Sequence, residues 1–244
     1  QGLVKRFGGF NAVGGVSLAL REGSIHALVA PHGAGKTTCF NLLTKFLTPD
    51  QGTIHYRGRD ITALAPEQIA RLGIVRSFQI SAVFLGLTVL QNMRVARIRR
   101  QGAAMRFWRP PRSVDRLNDQ ALALLEAVGL AGLPDTTAAL LPYGRKRALE
   151  IAMTLALEPE VMLLDEPMAG LGQEDVARIA ALIRRVSANR SILMVEHNLS
   201  VVADLSDSIT VLARGAVLAQ GDYATVSRDE RVITAYMGAD EGDD

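Results

Sequence analysis

Among 244 residues there is one cysteine, Cys39. An intrachain disulfide framework is therefore excluded, and a reducing compartment suits the chain. No uninterrupted apolar stretch approaches the ~18 to 20 residues that a membrane-spanning helix needs. The opening QGLVKRFGGF has neither the apolar core nor the small-residue cleavage site of a signal peptide. These absences predict a cytosolic chain whose membrane role, if any, is peripheral. Net charge is scarce as well: 27 Lys and Arg against 25 Asp and Glu leave +2, which argues against a protein that coats nucleic acid. Acidic residues are missing from one stretch, 94–112, where seven arginines gather: Arg94, Arg97, Arg99, Arg100, Arg106, Arg109 and Arg112. With those seven set aside, the 25 acidic residues outnumber the remaining 20 basic ones by five. What the chain has in quantity is apolar side chains, 48%, enough to bury a sizeable core at this length.

Short apolar runs rich in Val and Ile recur at 16–20, 25–29, 161–164, 192–195 and 209–212. Runs of four or five such residues read as strands buried on both faces. Helix-like stretches at 37–46, 174–186 and 199–206 lie between them. This alternation predicts an α/β domain with a largely parallel sheet. The middle, 88–158, is helical in character, broken by the Gly/Pro/Arg-rich piece QGAAMRFWRPPR, and reads as a helical subdomain inserted into the core. The expected division is an α/β core at 1–87 and 159–222, the helical subdomain at 88–158, and C-terminal helices with an acidic tail at 223–244. No internal repeat is visible.

Ala30-Pro31-His32-Gly33-Ala34-Gly35-Lys36-Thr37-Thr38 follows the strand HALVA and opens a helix. In that setting successive backbone N–H groups wrap a phosphate and the helix N-terminus adds positive dipole. Lys36 reaches the β- and γ-phosphates, and the Thr37 hydroxyl ligates Mg²⁺. Ala30 stands at the first Gly position of the pattern, which requires that its φ stay negative. Cys39, in the following helix, reads as a buried structural thiol.

Val161-Met162-Leu163-Leu164-Asp165-Glu166-Pro167 is a buried strand that ends in two acids. Ligands of parallel sheets gather at the carboxyl ends of strands, so Asp165 is expected beside the phosphate loop, holding Mg²⁺ through water. Glu166 is then placed to orient and deprotonate an attacking water. A second strand ends in Glu196-His197, and His197 is expected at the γ-phosphate edge, where an imidazole can bond the leaving phosphoryl group; a structural role is the alternative for a histidine there.

With these pieces in their order, the chain resembles over essentially its whole length the ATP-binding cassette of ABC transporters. The specific element is Leu141-Pro142-Tyr143-Gly144-Arg145-Lys146-Arg147-Ala148-Leu149-Glu150-Ile151-Ala152, which is similar to the family's LSGGQ-type signature segment. Its physical sense is a Gly-containing turn at a helix N-terminus, an anion site. The resemblance implies that Leu141, Pro142, Tyr143, Gly144 and Arg145 face ATP held by an opposing cassette. It likewise implies that Gln79 in VRSFQ is the Q-loop glutamine, which touches Mg²⁺, senses the membrane subunit and is grouped with Glu166 and His197 as catalytic. Phe7 in LVKRFGG matches the aromatic that stacks on adenine, with a core Phe as the alternative. Ala169-Gly170-Leu171-Gly172 matches the D-loop. The fold it implies is a P-loop NTPase core with a mostly parallel sheet, an antiparallel β-subdomain and an inserted helical subdomain.

RFGG, VRSFQ, the LPYGxxRxLEIA form of the signature, MVEHNL and the C-terminal VITAYMG together resemble the LivG-type branch of branched-chain amino acid importers. That branch implies ATP and Mg²⁺ as cofactors and a second ATPase subunit, the same chain or a LivF-like one. Membrane permeases and, indirectly, a periplasmic solute-binding protein are the further partners, with no nucleic acid, at the cytoplasmic face of the inner membrane. The alternatives are a soluble ABC ATPase without a permease, or a cassette for another solute such as urea, an amide or lipopolysaccharide. Ala30, His32, Pro142, Arg145 and Gly172 depart from the family pattern, an asymmetry that suits a heterodimer with one stronger and one weaker site. The arginine-rich segment, with Trp108 in it, falls in the subdomain that in this family faces the membrane subunits. Anionic headgroups or an acidic permease loop would pair with it; a solvated charged face is the alternative.

Overall fold

The computed structural model describes residues 1–31, 33–77, 83–100, 111–197 and 199–237, and their side chains other than those at 99–100, 111–117, 200 and 236–237. The central strands are mostly apolar and almost wholly buried because both of their faces are covered. The strands of the principal sheet are β3 (Ile25–Val29), β6 (Ile74–Arg76), β7 (Val161–Asp165), β8 (Ser191–Val195), β9 (Ser208–Ala213) and β10 (Ala216–Gly221). Their spatial order is β10-β9-β3-β8-β7-β6, parallel throughout except for the β9–β10 hairpin. Alternate residues feed two cores. Ile25, Ala27 and Val29 of β3, Met162 and Leu164 of β7, and Ile192 and Met194 of β8 enter one. Leu28, Leu163, Leu193 and Val195 enter the other. Burial on both faces is the origin of the four- and five-residue apolar runs.

Before β3 lies an antiparallel pair, β1 (Leu3–Phe7) and β2 (Phe10–Val16), in which Phe7 faces Phe10 at the hairpin end. β4 (His55–Tyr56) and β5 (Arg59–Asp60) form a second small hairpin. The strand expected over 16–20 is corrected here: β2 ends at Val16, and 17–20 run on without ladder partners. Leu18 and Leu20 still pack half-buried against the second core. An apolar pattern records burial, whereas a strand also needs a neighbour for its N–H and C=O groups.

Helix α1 (Lys36–Leu43) follows β3 and stops short of the expected 46. The Thr44 hydroxyl donates back to the Phe40 carbonyl at 2.7 Å, and Lys45 turns left-handed at φ 62°. Helix α2 (Pro66–Arg71) precedes β6. The described chain between β6 and β7 carries α3 (Val89–Arg100), α4 (Pro111–Ala127), a 3₁₀ turn at Ala138–Leu140 and α5 (Tyr143–Leu155), with α3 packed on both α4 and α5. Helix α6 (Gln173–Ser187) buries Ile179, Leu182, Ile183 and Val186, the i, i+3, i+4, i+7 stripe of a helix laid on a core. Glu174 and Asp175 open it and Arg184 and Arg185 close it, both in the sense the helix dipole favours. Helix α7 (Leu199–Leu205) follows β8, and α8 (Tyr223–Val226) and α9 (Glu230–Met237) pack on β10. Among the described residues no helix is long and apolar enough to cross a membrane.

Candidate functional site

Because β8 lies between β3 and β7 in the sheet, the carboxyl ends of three neighbouring strands form one rim, where ligands of parallel sheets gather. They carry the phosphate loop, the Asp165-Glu166 pair and Glu196-His197. Leu28 of β3 and Asp165 of β7 both register with Val195 of β8, so the three ends are level.

After β3 the loop turns through Gly33 (φ 75°) and Gly35 (φ 100°) into α1. Ala30 is not among the left-handed residues, so its methyl meets the requirement set by the missing glycine. At Gly35 a side chain is impossible on two counts: the φ belongs to glycine, and a Cβ would lie 2.3 Å from the Ala12 carbonyl oxygen of β2. The first turn of α1 has no side-chain cap, which leaves its backbone N–H groups available to an anion. Lys36 is buried, and its ammonium donates to the carbonyls of Ala30 at 2.5 Å and Pro31 at 3.0 Å. Burial pushes its pKa below the ordinary lysine value, and the charges of Glu166 and Asp165 oppose that shift. Both carboxylates are thus within electrostatic reach of the loop. Pro31 and Thr38 are half-buried, Ala34 is buried, and Gly33 and Thr37 are exposed at the rim. Cys39 is buried, with its thiol pushed up to about 12 by burial, and so is chemically quiet.

Asp165, 2% exposed, closes β7 in an ion pair with Arg76, whose guanidinium also donates to Asn41 Oδ1 at 2.6 Å and stacks 5.5 Å from the centre of the Phe40 ring. Glu166 is half-buried and left-handed, φ 44°, with its N–H on the Val195 carbonyl at 3.0 Å. His197 is exposed just beyond β8, its N–H on Glu196 Oε2 at 3.2 Å. The Glu196 carboxylate is fully buried and also accepts from the Met168 N–H at 2.9 Å.

Phe7 is not a core residue. Its ring is 47% exposed on the β1–β2 hairpin, with the Lys5 ammonium 5.7 Å from its centre.

The signature segment runs from buried Leu141 through Pro142, the N-cap of α5, into the first turn, again without a side-chain cap. Tyr143 is 56% exposed, and its ring covers Gly170, where an added methyl would lie 3.4 Å away. Gly144 is buried against α6, and a Cβ there would meet Asp175 Cγ at 2.3 Å. Arg145 donates to the Gly129 carbonyl at the surface. Arg147 is buried and reaches the carbonyls of Glu166 and Pro167 at 2.6 and 3.0 Å.

The structure thus brings Lys36, Asp165, Glu166 and His197 to one rim. Gln79 and His32 lie outside the described residues, as do Arg106, Trp108, Arg109 and the tail 238–244. Of the seven arginines, two are internal struts: Arg94 donates to Asn118 at 2.7 Å, while buried Arg97 bonds Gln120 and stands 3.6 Å from Glu158. Sequence reasoning missed Arg76, Arg147 and the buried role of Glu196. All three stand inside segments already singled out, but nothing in the pattern tells which way their side chains point.

Comparison with known proteins gives the same picture from another direction. The ABC transporter family model matches residues 13–169, and a model of branched-chain amino acid ATP-binding cassette transporters matches 216–242. The "high-affinity branched-chain amino acid transport ATP-binding protein LivG" of Salmonella typhimurium is 41% identical over 98% of this chain and 96% of its own. LivG of Escherichia coli K12 is 39% identical over the same shares, and BraF of Pseudomonas aeruginosa, with the same description, is 38% identical over them. Among solved structures, the ADP conformation of an ATP-binding cassette of an ABC transporter superposes with a TM-score of 0.87 at 30% identity, covering 97% of this chain and 96% of that one. A cassette from Clostridium perfringens described as part of the cbiONQ transporter complex gives 0.81 at 26% identity, covering 96% and 91%.

Proposed function

Because the chain belongs to the ATP-binding cassette family of ABC transporters and is an ATPase of that family, we propose that it is the motor of an importer for branched-chain amino acids. The observation that carries the solute assignment is likeness to LivG and BraF along nearly the whole chain, together with the branch-specific match at 216–242. The observation that carries the chemistry is the single rim shared by Lys36, Asp165, Glu166 and His197.

The uncapped first turn of α1 and the Lys36 ammonium hold the triphosphate, with the Phe7 ring offered to the base. Mg²⁺ fits the donor set: one exposed hydroxyl, Thr37, and one carboxylate, Asp165, suit an ion that keeps waters and phosphate oxygens as its other ligands. No cluster of three or more acidic, His or Cys ligands stands among the described residues. When bound, Mg²⁺ would supply charge neutralisation at the β- and γ-phosphates. Gln79 is assigned to the same ion by family resemblance. Glu166 accepts the proton of the attacking water, and His197 hydrogen-bonds the departing phosphoryl group.

Leu141 to Arg145 form the second anion site, taken up by ATP on another cassette, a copy of this chain or a LivF-like partner. Closure and reopening of that pair drive permease subunits at the cytoplasmic face of the membrane, through the helical subdomain assigned to 88–158, while a periplasmic binding protein delivers the solute.

Phosphate release by the purified chain tests the chemistry. Glu166→Gln is expected to lose about 100-fold or more in kcat while keeping ATP affinity; equal rates would remove Glu166 from the mechanism. Reconstitution with the permeases and binding protein tests the solute: hydrolysis should rise with leucine, isoleucine or valine. A response to urea or a short amide instead would reassign the cargo and leave the motor standing.

A further inference from the structure

The turn that aims Glu166 is held by side chains remote in sequence. A non-glycine residue at φ 44° sits in a sparsely populated region and keeps that conformation only where its surroundings impose it. Two backbone bonds help: Glu166 N–H to the Val195 carbonyl at 3.0 Å, and Ala169 N–H to the Glu166 carbonyl at 3.1 Å. The rest come from two buried charges. The Arg147 fork donates from Nη2 to the Glu166 carbonyl at 2.6 Å and from Nε to the Pro167 carbonyl at 3.0 Å, two consecutive peptide units. Its remaining arm, Nη1, is fixed by Glu150 Oε2 at 2.8 Å, one turn along α5. From the other side Glu196 Oε1 accepts the Met168 N–H at 2.9 Å and Oε2 accepts the His197 N–H at 3.2 Å.

We propose that Arg147 is a positioning residue for hydrolysis, fixing the Glu166 peptide and making its orientation follow the signature helix α5. The proposal rests on Glu166 being the hydrolytic carboxylate. The planar fork spans two carbonyls at hydrogen-bonding distance, so a displacement of α5 by about 1 Å breaks at least one arm. Arg147 lies one turn inside the helix whose uncapped first turn is the second anion site. Binding of a phosphate there would settle α5, and through Arg147 it would settle the carboxylate of the same chain. Two nucleotide sites of a cassette pair would thereby sense each other through one side chain.

The test compares the full-length chain with Arg147→Met and Arg147→Lys. Its readouts are kcat and KM for ATP hydrolysis, equilibrium binding of a fluorescent ATP analogue, and thermal unfolding. Arg147→Met is expected to lose about tenfold to a hundredfold in kcat, the scale of a 1 Å misplacement. Its KM and analogue affinity should stay within about twofold of the wild type. Arg147→Lys should fall between the two, since an ammonium keeps the charge opposite Glu150 but reaches only one carbonyl. Unchanged kcat in Arg147→Met would overturn the proposal. So would a joint fall in kcat, nucleotide affinity and melting temperature with Arg147→Lys indistinguishable from the wild type, the pattern of mere packing. If Arg147→Met does not fold, Arg147→Lys decides, and full kcat there refutes the coupling. Failure of the wild-type chain to hydrolyse ATP at all would instead bring down the reading of Glu166, a separate and recognisable result.

Discussion

The molecule presents two helix N-termini without side-chain caps, those of α1 and α5, and they are built differently. At the phosphate loop, a left-handed glycine caps α1 and a buried lysine lies across the turn. At the signature turn, a proline in extended conformation caps α5. There the nearest ionised neighbour of Gly144 is the carboxylate of Asp175, and Tyr143 stands out into solvent. The first site holds a buried ammonium bonded to the loop itself; at the second, Arg145 is engaged by the Gly129 carbonyl, and the Asp175 carboxylate behind Gly144 is paired with Arg178 at 2.6 Å. A site of the first kind can hold a triphosphate alone. One of the second kind contributes only when another surface presents the phosphate, which is the asymmetry expected of a composite site shared between two chains.

The strongest way to break this comparison is to remove the charge from the loop. Lys36→Met is expected to weaken ATP binding on the order of 100-fold, the loss of one or two charge-assisted hydrogen bonds. Isothermal titration of the purified chain would show it, and an affinity within a few-fold of the wild type would mean that the loop amides suffice.

Comparable in size is the strand beneath the loop. His26 of β3 is 1% exposed, its ring bonded to Thr210 at 2.8 Å and Ser208 at 2.7 Å, and burial with nearby Arg21 lowers its pKa to about 4. In the folded chain the ring stays neutral, while the unfolded chain takes up the proton near 6.5. The unfolded state therefore binds more protons between those values. The contribution is complete above the upper one and is lost as pH falls towards the lower. At ~1.4 kcal/mol per pKa unit the loss reaches about 3 kcal/mol. Urea midpoints between pH 7 and pH 4 should drop in the wild type and drop less in His26→Gln; parallel curves would acquit the histidine.

The smallest effect sharpens the signature side. Gly144→Ala forces the Asp175 carboxylate aside and should cost about 1 to 3 kcal/mol of stability, as overpacking does. Adding Asp175→Ala should restore most of that. If the double variant is as unstable as the single, Asp175 is not what closes the turn.

How much of this was legible beforehand depended on the range of the interactions involved. The phosphate loop was readable because strand, glycine turn and helix start are consecutive, and their geometry follows from local backbone rules. The carboxylate pair and His197 were readable because a parallel sheet places every strand end on one rim. The run at 16–20 misled because apolar alternation marks burial without supplying a ladder partner. The arginines at 94 and 97 counted as surface charge in a composition, yet both are spent on contacts within the helical region. Arg76 on Asp165, and Arg147 on the Glu166 turn, join residues 89 and 19 positions apart, and no periodicity encodes such a meeting.

By itself the sequence determined the fold class, the order of the motifs and the chemical type of each group at the rim, because those follow from period, turn residues and local donors. Only the tertiary structure decided which carboxylate is paired with arginine, which glycine admits no methyl, and which side chain ties the signature helix to Glu166. Those depend on distances between elements that the chain brings together only by packing both faces of one sheet.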